Sequence, residues 1–535
     1  MKTLIGGFCM ALLLGAASSD LRVPEAAQQG DGQAIRSLLQ EKADVNAAQG
    51  DGMTALHWAA FKDDLETAQV LLQAGANVKA TTRIGALTPL IMASKNGDAP
   101  MIAALIKAGA EVNTATTDGM TPLMAVAVSG NVEAAKVLLD HGANVNAKEA
   151  SHDQTAVMFA AAGNRGAIIS LLAARGADLN ATTTVIKLDA AKLDDDGNPI
   201  PVKKGDETIT GGNSFMGGMT ALLFAARDGN LDAVRALLEA GAPINQVSGG
   251  EHSTPLVIAI ANGHYEVGKF LLDHGANPNI TNVDGLTPLY ATINMQYAPV
   301  SWAPNPLTDQ EKVTHLDLMK ALLEHGADPN AKLQKKLWFS PSSHNQQWIN
   351  PVGATAFWRA AQATDVAAMR LLVQHGADPK IPTTGGTTPL MVASGLGWAG
   401  NFSQTNAATW MDSVKYCVEL GLDVNSADGQ GYTPLMGAAW RGNNDIIQFL
   451  ADKGAKLDAR NKKGWSVTDM ANGPALRSSV PMTHPDTIAF LTKLGAPPLT
   501  QIQGESILGS TRRARYGEDK KAAPATPEKP AAARQ

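Results

Sequence analysis

The chain has 535 residues, 44% of them hydrophobic but only 5% aromatic, and a formal net charge of −6. That length exceeds the usual size of one globular domain, so either several domains or an array that grows by adding units is required. Residues from 500 onward carry seven basic and four acidic side chains, so the body before them is more acidic than the total, which speaks against a nucleic-acid partner.

The N-terminus reads Met1-Lys2, then an apolar run from Leu4 to Leu14, then Gly15-Ala16-Ala17-Ser18-Ser19. An early positive charge, a short apolar stretch and small residues at its end form the pattern of a secretory leader over residues 1–19, with the protein exported to the periplasm or the extracellular space. Cys9 follows Phe8 rather than small residues, which is poor for lipid attachment. No other stretch is long enough to span a bilayer. Loss of the leader would leave Cys417 alone, so no intrachain disulfide is expected and its predicted role is core packing.

From Thr54 onward a threonine keeps returning. It stands at Thr88, Thr121, Thr155, Thr220, Thr254, Thr287, Thr355, Thr388 and Thr433, with Ser466 as a weaker last copy; the modal gap is 33. The threonine is a good N-cap, and the proline that often follows fits a first helical turn. A mid-unit glycine (Gly97, Gly130, Gly229, Gly263, Gly442) ends that helix. A second helix carries a Leu-Leu pair such as Leu71-Leu72 or Leu138-Leu139. A glycine 21 residues after the threonine, in eight of eleven copies, supplies a left-handed C-cap, and a polar turn follows. Each unit therefore reads as two short antiparallel helices and a hairpin finger that cannot fold alone. Leu21 to Asn46 is a worn first copy in which Lys42 stands in place of the end glycine.

With its Thr-Pro-Leu-Ile-Met-Ala start at Thr88 and Gly-Ala-Asp/Asn-x-Asn endings at Gly142, Gly176, Gly275 and Gly326, the repeat resembles the ankyrin repeat over roughly residues 21–499. The resemblance implies an all-α solenoid of about twelve helix-turn-helix units with β-hairpin fingers, spanning residues 20–499, and protein–protein recognition as its use. Residues 500–535 turn to Arg, Lys, Ala and Pro and are expected to be a disordered tail.

Four inserted loops interrupt the register, at about residues 182–217, 297–312, 333–350 and 397–408. In the first, Val185-Ile186-Lys187-Leu188 and Ile200-Pro201-Val202 flank an acidic turn and suggest a β-hairpin. Long loops within a regular array are usually functional or disordered. Six of the nine tryptophans fall between 302 and 410: Trp302, Trp338, Trp348, Trp358, Trp398 and Trp410. With Phe339 beside Trp338, they are candidate binding residues, against the alternative that the rings anchor the loops. The residue before the threonine faces the groove in the family. Here it is Met53, Leu87, Met120, Met219, Leu286, Tyr432 or Trp465. Trp58, Phe61 and Trp440 occupy first-helix positions that the resemblance places on the concave face. Together they predict an apolar strip, against partial burial between fingers.

Gly395-Leu396-Gly397-Trp398-Ala399-Gly400 fits a phosphate-loop pattern but follows a helix instead of opening one. Asp194-Asp195-Asp196-Gly197 would place Lys192 and Lys203 at calcium-ligand positions. His141, His274, His325 and His375 precede end glycines, where a helix C-terminus favours them. No metal or cofactor is expected. The reading is an exported, non-catalytic scaffold that binds a protein through its groove and through the insertions of units 7 to 9, counting from Thr54. One alternative is carbohydrate or cell-wall binding by exposed tryptophans. Another is an enzyme built from inserted loops, which would need His315, His344, Asp309 or Glu311 to converge.

Overall fold

The computed structural model describes residues 20–187, 215–298, 308–337, 349–398, 405–473 and 483–500. The leader region, the tail from 501, and at least half of each inserted loop lie outside them. Among the described residues twenty-four α-helices pair off in sequence, and the chain divides into two compact units. The first comprises residues up to 185 with 217–243, and the second comprises 186–216 with 244 onward. Six helix pairs fall in each, in agreement with the twelve repeats read from the periodicity.

The repeat threonine starts each first helix as expected. Thr54, Thr88, Thr121, Thr220, Thr254, Thr287, Thr355, Thr388 and Thr433 all accept the backbone N–H three residues on. Thr155 is the exception: it makes no cap bond and its buried hydroxyl lacks a partner. Asp31, Asp64, Asp98 and Asn131 cap second helices in the same way. Such caps satisfy donors that a short helix would otherwise leave open.

Alanines set the spacing between pairs. Ala59, Ala60, Ala93, Ala125, Ala160, Ala225 and Ala226 are all at most 2% exposed, and the leucines Leu71, Leu105 and Leu138 close the other side of each layer at 0%. In worn copies the backbone pays locally: Lys42 itself adopts the left-handed conformation, with φ 63°.

Two hydrogen-bond ladders join successive repeats. In the first unit, finger joins finger: the amides of Arg83, Thr117 and Ala150 donate to the carbonyls of Asp51, Gly85 and Asp118 at 2.8, 3.1 and 2.9 Å. In the second, Gln334, Thr384, Gly429 and Lys462 bond back to Asp284, Val352, Gly385 and Gln430 at 2.7–2.8 Å. The other ladder runs through the asparagine of the Gly-Ala-Asp/Asn-x-Asn ending. In the first unit, the Asn113 amide donates to the Gly142 carbonyl at 3.0 Å while its oxygen accepts the Asn144 N–H at 2.7 Å. Asn330 does the same to Gly376 and Asp378 in the second unit.

The fingers are shorter than the word hairpin suggests. Those without an insertion are tight turns closed by a backbone bond such as Gln49 N–H to the Met53 carbonyl, 2.9 Å. Among the described residues only one strand pair forms: Val185–Lys187 against Phe215–Gly217. The expected first strand is therefore present, but its partner is Phe215–Gly217; Ile200-Pro201-Val202 lies outside the described residues.

Candidate functional site

Of the tryptophans and their neighbour proposed from the insertions, Trp302, Trp338, Phe339 and Trp348 lie outside the described residues. The remaining candidates separate into two sets.

The first set is buried, which corrects the expectation of exposed rings there. Trp358 is 1% exposed, and its indole N–H donates to the Thr387 carbonyl at 3.0 Å. It stands three residues after Thr355, as His57 stands three after Thr54. The His57 imidazole bonds the Leu87 carbonyl at 3.0 Å in the same way, while its Nδ1 accepts the Thr54 N–H. Burial pushes the His57 pKa down, against the pull of nearby carbonyls, so the neutral ring suits this role. Trp358 is thus a bulky substitute for a finger-to-helix bond.

Trp440 is also 1% exposed, although Phe61, at the equivalent position seven residues after the threonine, is 56% exposed. The insertion explains the difference: the Trp440 N–H donates to the Trp398 carbonyl at 2.6 Å. Tyr432 and Trp465 are 4% and 5% exposed, and Met53 and Leu286 are 7% and 0% exposed. Leu87, Met120 and Met219 are half-buried. The finger row is therefore mainly buried rather than a continuous exposed apolar strip.

The second set reaches solvent. In the first unit Trp58 is half-buried, bonded to Gln49 Oε1 at 2.8 Å, and meets exposed Phe61 edge to face at 6.0 Å between centroids. Val128, equivalent to Phe61, is 47% exposed. In the second unit Trp398 and Trp410 are half-buried, with centroids 6.0 Å apart and planes at 74°. The Trp410 N–H donates to Thr405 Oγ1 at 3.1 Å.

Between those two rings lies a residue that the sequence reading did not single out. The Arg441 guanidinium carbon sits 4.1 Å from the Trp410 centroid and 5.3 Å from that of Trp398. Cation–π attraction favours this placement. Room for it comes from Gly395: a Cβ there would stand 2.8 Å from Arg441 Cβ. Gly437 allows the same close approach, since a Cβ would meet the Leu396 N at 2.7 Å. Gly395 of the phosphate-loop look-alike therefore serves helix approach, and it also caps helix Pro389–Ser394. A signal existed in the sequence: an arginine directly after Trp440, in the helix packed against the unit whose turn carries two tryptophans.

Among the described residues, those proposed for an enzymatic site do not converge as that reading requires. His315 Nε2–H donates to Asp365 Oδ2 at 2.8 Å, and the Tyr297 hydroxyl donates to the same oxygen at 3.0 Å. Glu311 instead accepts the Glu266 N–H at 2.8 Å and faces His264 at 3.8 Å. Asp309 is exposed, and His344 is outside the described residues. Asp365 also caps helix Val366–Gln374, so this cluster reads as a brace. His141, His274 and His325 bond through Nδ1 to the carbonyls of Val137, Phe270 and Ala321 at 2.7–2.8 Å, closing their own helices. Among the described residues no group of three or more His, Cys, Asp or Glu side chains could hold a metal, and no helix is long and apolar enough to cross a membrane.

Comparison with known proteins follows the same geometry. Ankyrin repeats described as three-copy match residues 90–183 and 204–298, and many-copy ankyrin repeats match 23–72, 56–106 and 418–471. The E3 ubiquitin-protein ligase KEG of Arabidopsis thaliana is 25% identical over 453 residues, covering 83% of this chain and 21% of that protein. Ankyrin repeat and SOCS box protein 16 of Mus musculus is 38% identical over 97 residues, 18% of this chain and 19% of that protein. Alpha-latrocrustotoxin-Lt1a of Latrodectus tredecimguttatus is 26% identical over 224 residues, 41% and 13% respectively. The chain thus spans about a fifth or less of each relative's length. Ankyrin repeats are binding modules for other proteins, and with matched segments, capped helix pairs and inter-repeat ladders in agreement, the chain belongs to the ankyrin-repeat family.

Proposed function

We propose that this protein is an exported, non-catalytic scaffold that recognises a protein partner through its concave groove and the tryptophan-rich insertions of units 7 to 9. The observation that carries this reading is the half-buried pair Trp398 and Trp410, held edge to face beside an inserted turn. Large rings kept partly in water on a rigid support are the usual anchors of protein interfaces. A preformed surface binds without an ordering cost of its own. The 74° angle between those rings gives no flat platform for a sugar, which favours a protein over a glycan. Export rests on the leader pattern of residues 1–19.

Affinity capture from a periplasmic extract tests the reading. Intact protein should retain a defined partner that is lost from a Trp398→Ala/Trp410→Ala variant and weakened by removal of residues 333–350. Recovery of identical proteins by all three would remove this face from the proposal. A reporter active only outside the cytoplasm, fused to the chain, should be switched on; a silent but expressed fusion would remove export.

A further inference from the structure

One row of first-helix positions is open to water throughout the first compact unit. It stands seven residues after each repeat threonine: Phe61, Lys95, Val128, Ala162 and Arg227, all exposed. The equivalent positions of the second unit, Ala261, Asn294, Gln362, Gly395 and Trp440, are buried or half-buried. The helices that carry the open row, Ala55–Phe61, Pro89–Asn96, Pro122–Ser129, Ala156–Ala162 and Ala221–Arg227, pack each against the next. Side chains of the following repeat hold it in register. Asn96 Nδ2 donates to the Phe61 carbonyl at 2.8 Å, Arg165 Nε to the Val128 carbonyl at 3.3 Å and Asn230 Nδ2 to the Ala162 carbonyl at 2.9 Å.

The row is apolar at Phe61, cationic at Lys95 and apolar again at Val128. Trp58 widens the first apolar point, with its ring 6.0 Å from that of Phe61. Lys95 makes no ion pair among the described residues. It is the weakest of the influences on Asp118, whose carboxylate accepts the Thr116 hydroxyl instead. The other cation of the row, Arg227, is already paired with Asp228 at 2.7 Å.

Spacing decides which backbone can follow such a row. Packed helices lie about 8–10 Å apart. A polyproline II segment repeats every three residues at about 9.3 Å, so every third side chain meets the next repeat. In a β-strand, side chains of one face recur at about 6.6 Å and fall out of step by the second repeat. An α-helix returns every 5.4 Å or so, and two of its turns overshoot. Grooves lined with aromatic rings are also a common seat for polyproline II segments, whose stiff backbone loses little freedom on docking.

We propose that Phe61, Lys95 and Val128 form a docking row for a polyproline II segment of a protein partner, bearing an apolar residue, a carboxylate three residues on and a second apolar residue three beyond that. This site rests on the scaffold reading above and names the chemistry that its groove selects. The apolar ends lie over Phe61 and Val128, and the carboxylate meets Lys95. The pattern reads the same in either chain direction, and prolines suit the positions between, which point away from the row. The chain's own tail carries the same spacing at Ile502, Glu505 and Leu508, but it is net basic and joined to the second unit.

The test is fluorescence anisotropy of a dye-labelled, blocked peptide, Gly-Phe-Pro-Pro-Glu-Pro-Pro-Leu-Gly, titrated with the full chain. We expect saturable binding with a dissociation constant on the order of 100 µM or tighter. A peptide with one proline removed on each side of Glu should bind at least about tenfold more weakly, since one apolar anchor is lost. Gln in place of Glu should weaken binding about two- to fivefold. Phe61→Ala should weaken it about tenfold. Lys95→Glu should also weaken it, and should bind the peptide with Lys in place of Glu more tightly than the parent does. Both positions are exposed, so these variants should unfold at the parent's temperature. Equal binding of the two spacings, equal binding of Glu and Gln, or either variant binding as the parent does would overturn the site. So would displacement of the peptide by oligothymidylate at a lower concentration than by unlabelled peptide. Tighter peptide binding after removal of residues 501–535 would assign the row to the tail and overturn the partner. If a Phe61→Ala/Lys95→Glu variant still captures its partner from an extract while the peptide does not bind the parent, the row falls and the scaffold stands.

Discussion

The Asn146 side-chain N–H donates to the Gly176 carbonyl at 3.0 Å, while its oxygen accepts the Asp178 N–H at 2.8 Å. One carboxamide thus couples the end of one repeat to the end of the next. Replacing Asn146 with alanine leaves both backbone groups to solvent, at about 1 kcal/mol for the exposed pair. Chemical denaturation should show that loss. Hydrogen exchange should place it in the two repeats concerned, since neighbours carry the coupling in a repeat array.

Lys42 occupies the left-handed C-cap of the first repeat, with φ 63°, where later repeats carry glycine. Relieving that strain with Lys42→Gly should outweigh the greater freedom of glycine in the unfolded chain. A net gain of about 0.5–1 kcal/mol is expected, read as a raised unfolding midpoint. A loss would show that the lysine side chain stabilises the first repeat.

Much of this fold was legible because the signals are local. A capping threonine, a helix-ending glycine and a fixed period need only the chain beside them. Burial of Trp358 and Trp440 was not, because each is settled across repeats: Trp358 by the Thr387 carbonyl and Trp440 by the Trp398 carbonyl. Arg441 escaped for the same reason. Its position at a helix end reads as a solvated charge until the inserted turn brings two indoles over it.

Two buried carboxylates should give opposite pH dependences. For Asp365, burial pushes the pKa up, but hydrogen bonds from His315, the Ala368 amide and Tyr297 outweigh it, so the net shift is downward. Its contribution is therefore present above the ordinary carboxylate range and lost as pH falls through the lowered value. Asp365→Asn should cost about 1–3 kcal/mol near neutral pH. The difference from the parent should shrink below about pH 4, as denaturation at several pH values would record.

Asp284 is the reverse case. It is 0% exposed, neither carboxyl oxygen has a partner, and burial raises its pKa despite the attraction of Lys335. A raised acid pKa means stability that is complete below the unfolded value and declines as pH rises through the folded one. Asp284→Ala should therefore stabilise the protein by about 1 kcal/mol or more at neutral pH and by little in acid. Equal effects at both ends would point to packing instead of charge.

Cys417 is 0% exposed and burial pushes its thiol pKa far up, so no thiolate is available. Mass spectrometry of the peptide carrying it should show no alkylation by iodoacetamide in native protein and full alkylation in denaturant. Rapid native labelling would mean that helix Trp410–Glu419 opens on the timescale of the reaction.

Photo-crosslinking in cells addresses the recognition surface most directly. A benzophenone amino acid placed at Phe61 or Trp410, on the ring-bearing faces, and at exposed Glu66 as a reference, samples different sides of the repeats. Protein adducts should form from Phe61 or Trp410 and be absent from Glu66. Adducts equally abundant from all three positions, or from none, would contradict a scaffold that binds protein through its aromatic face.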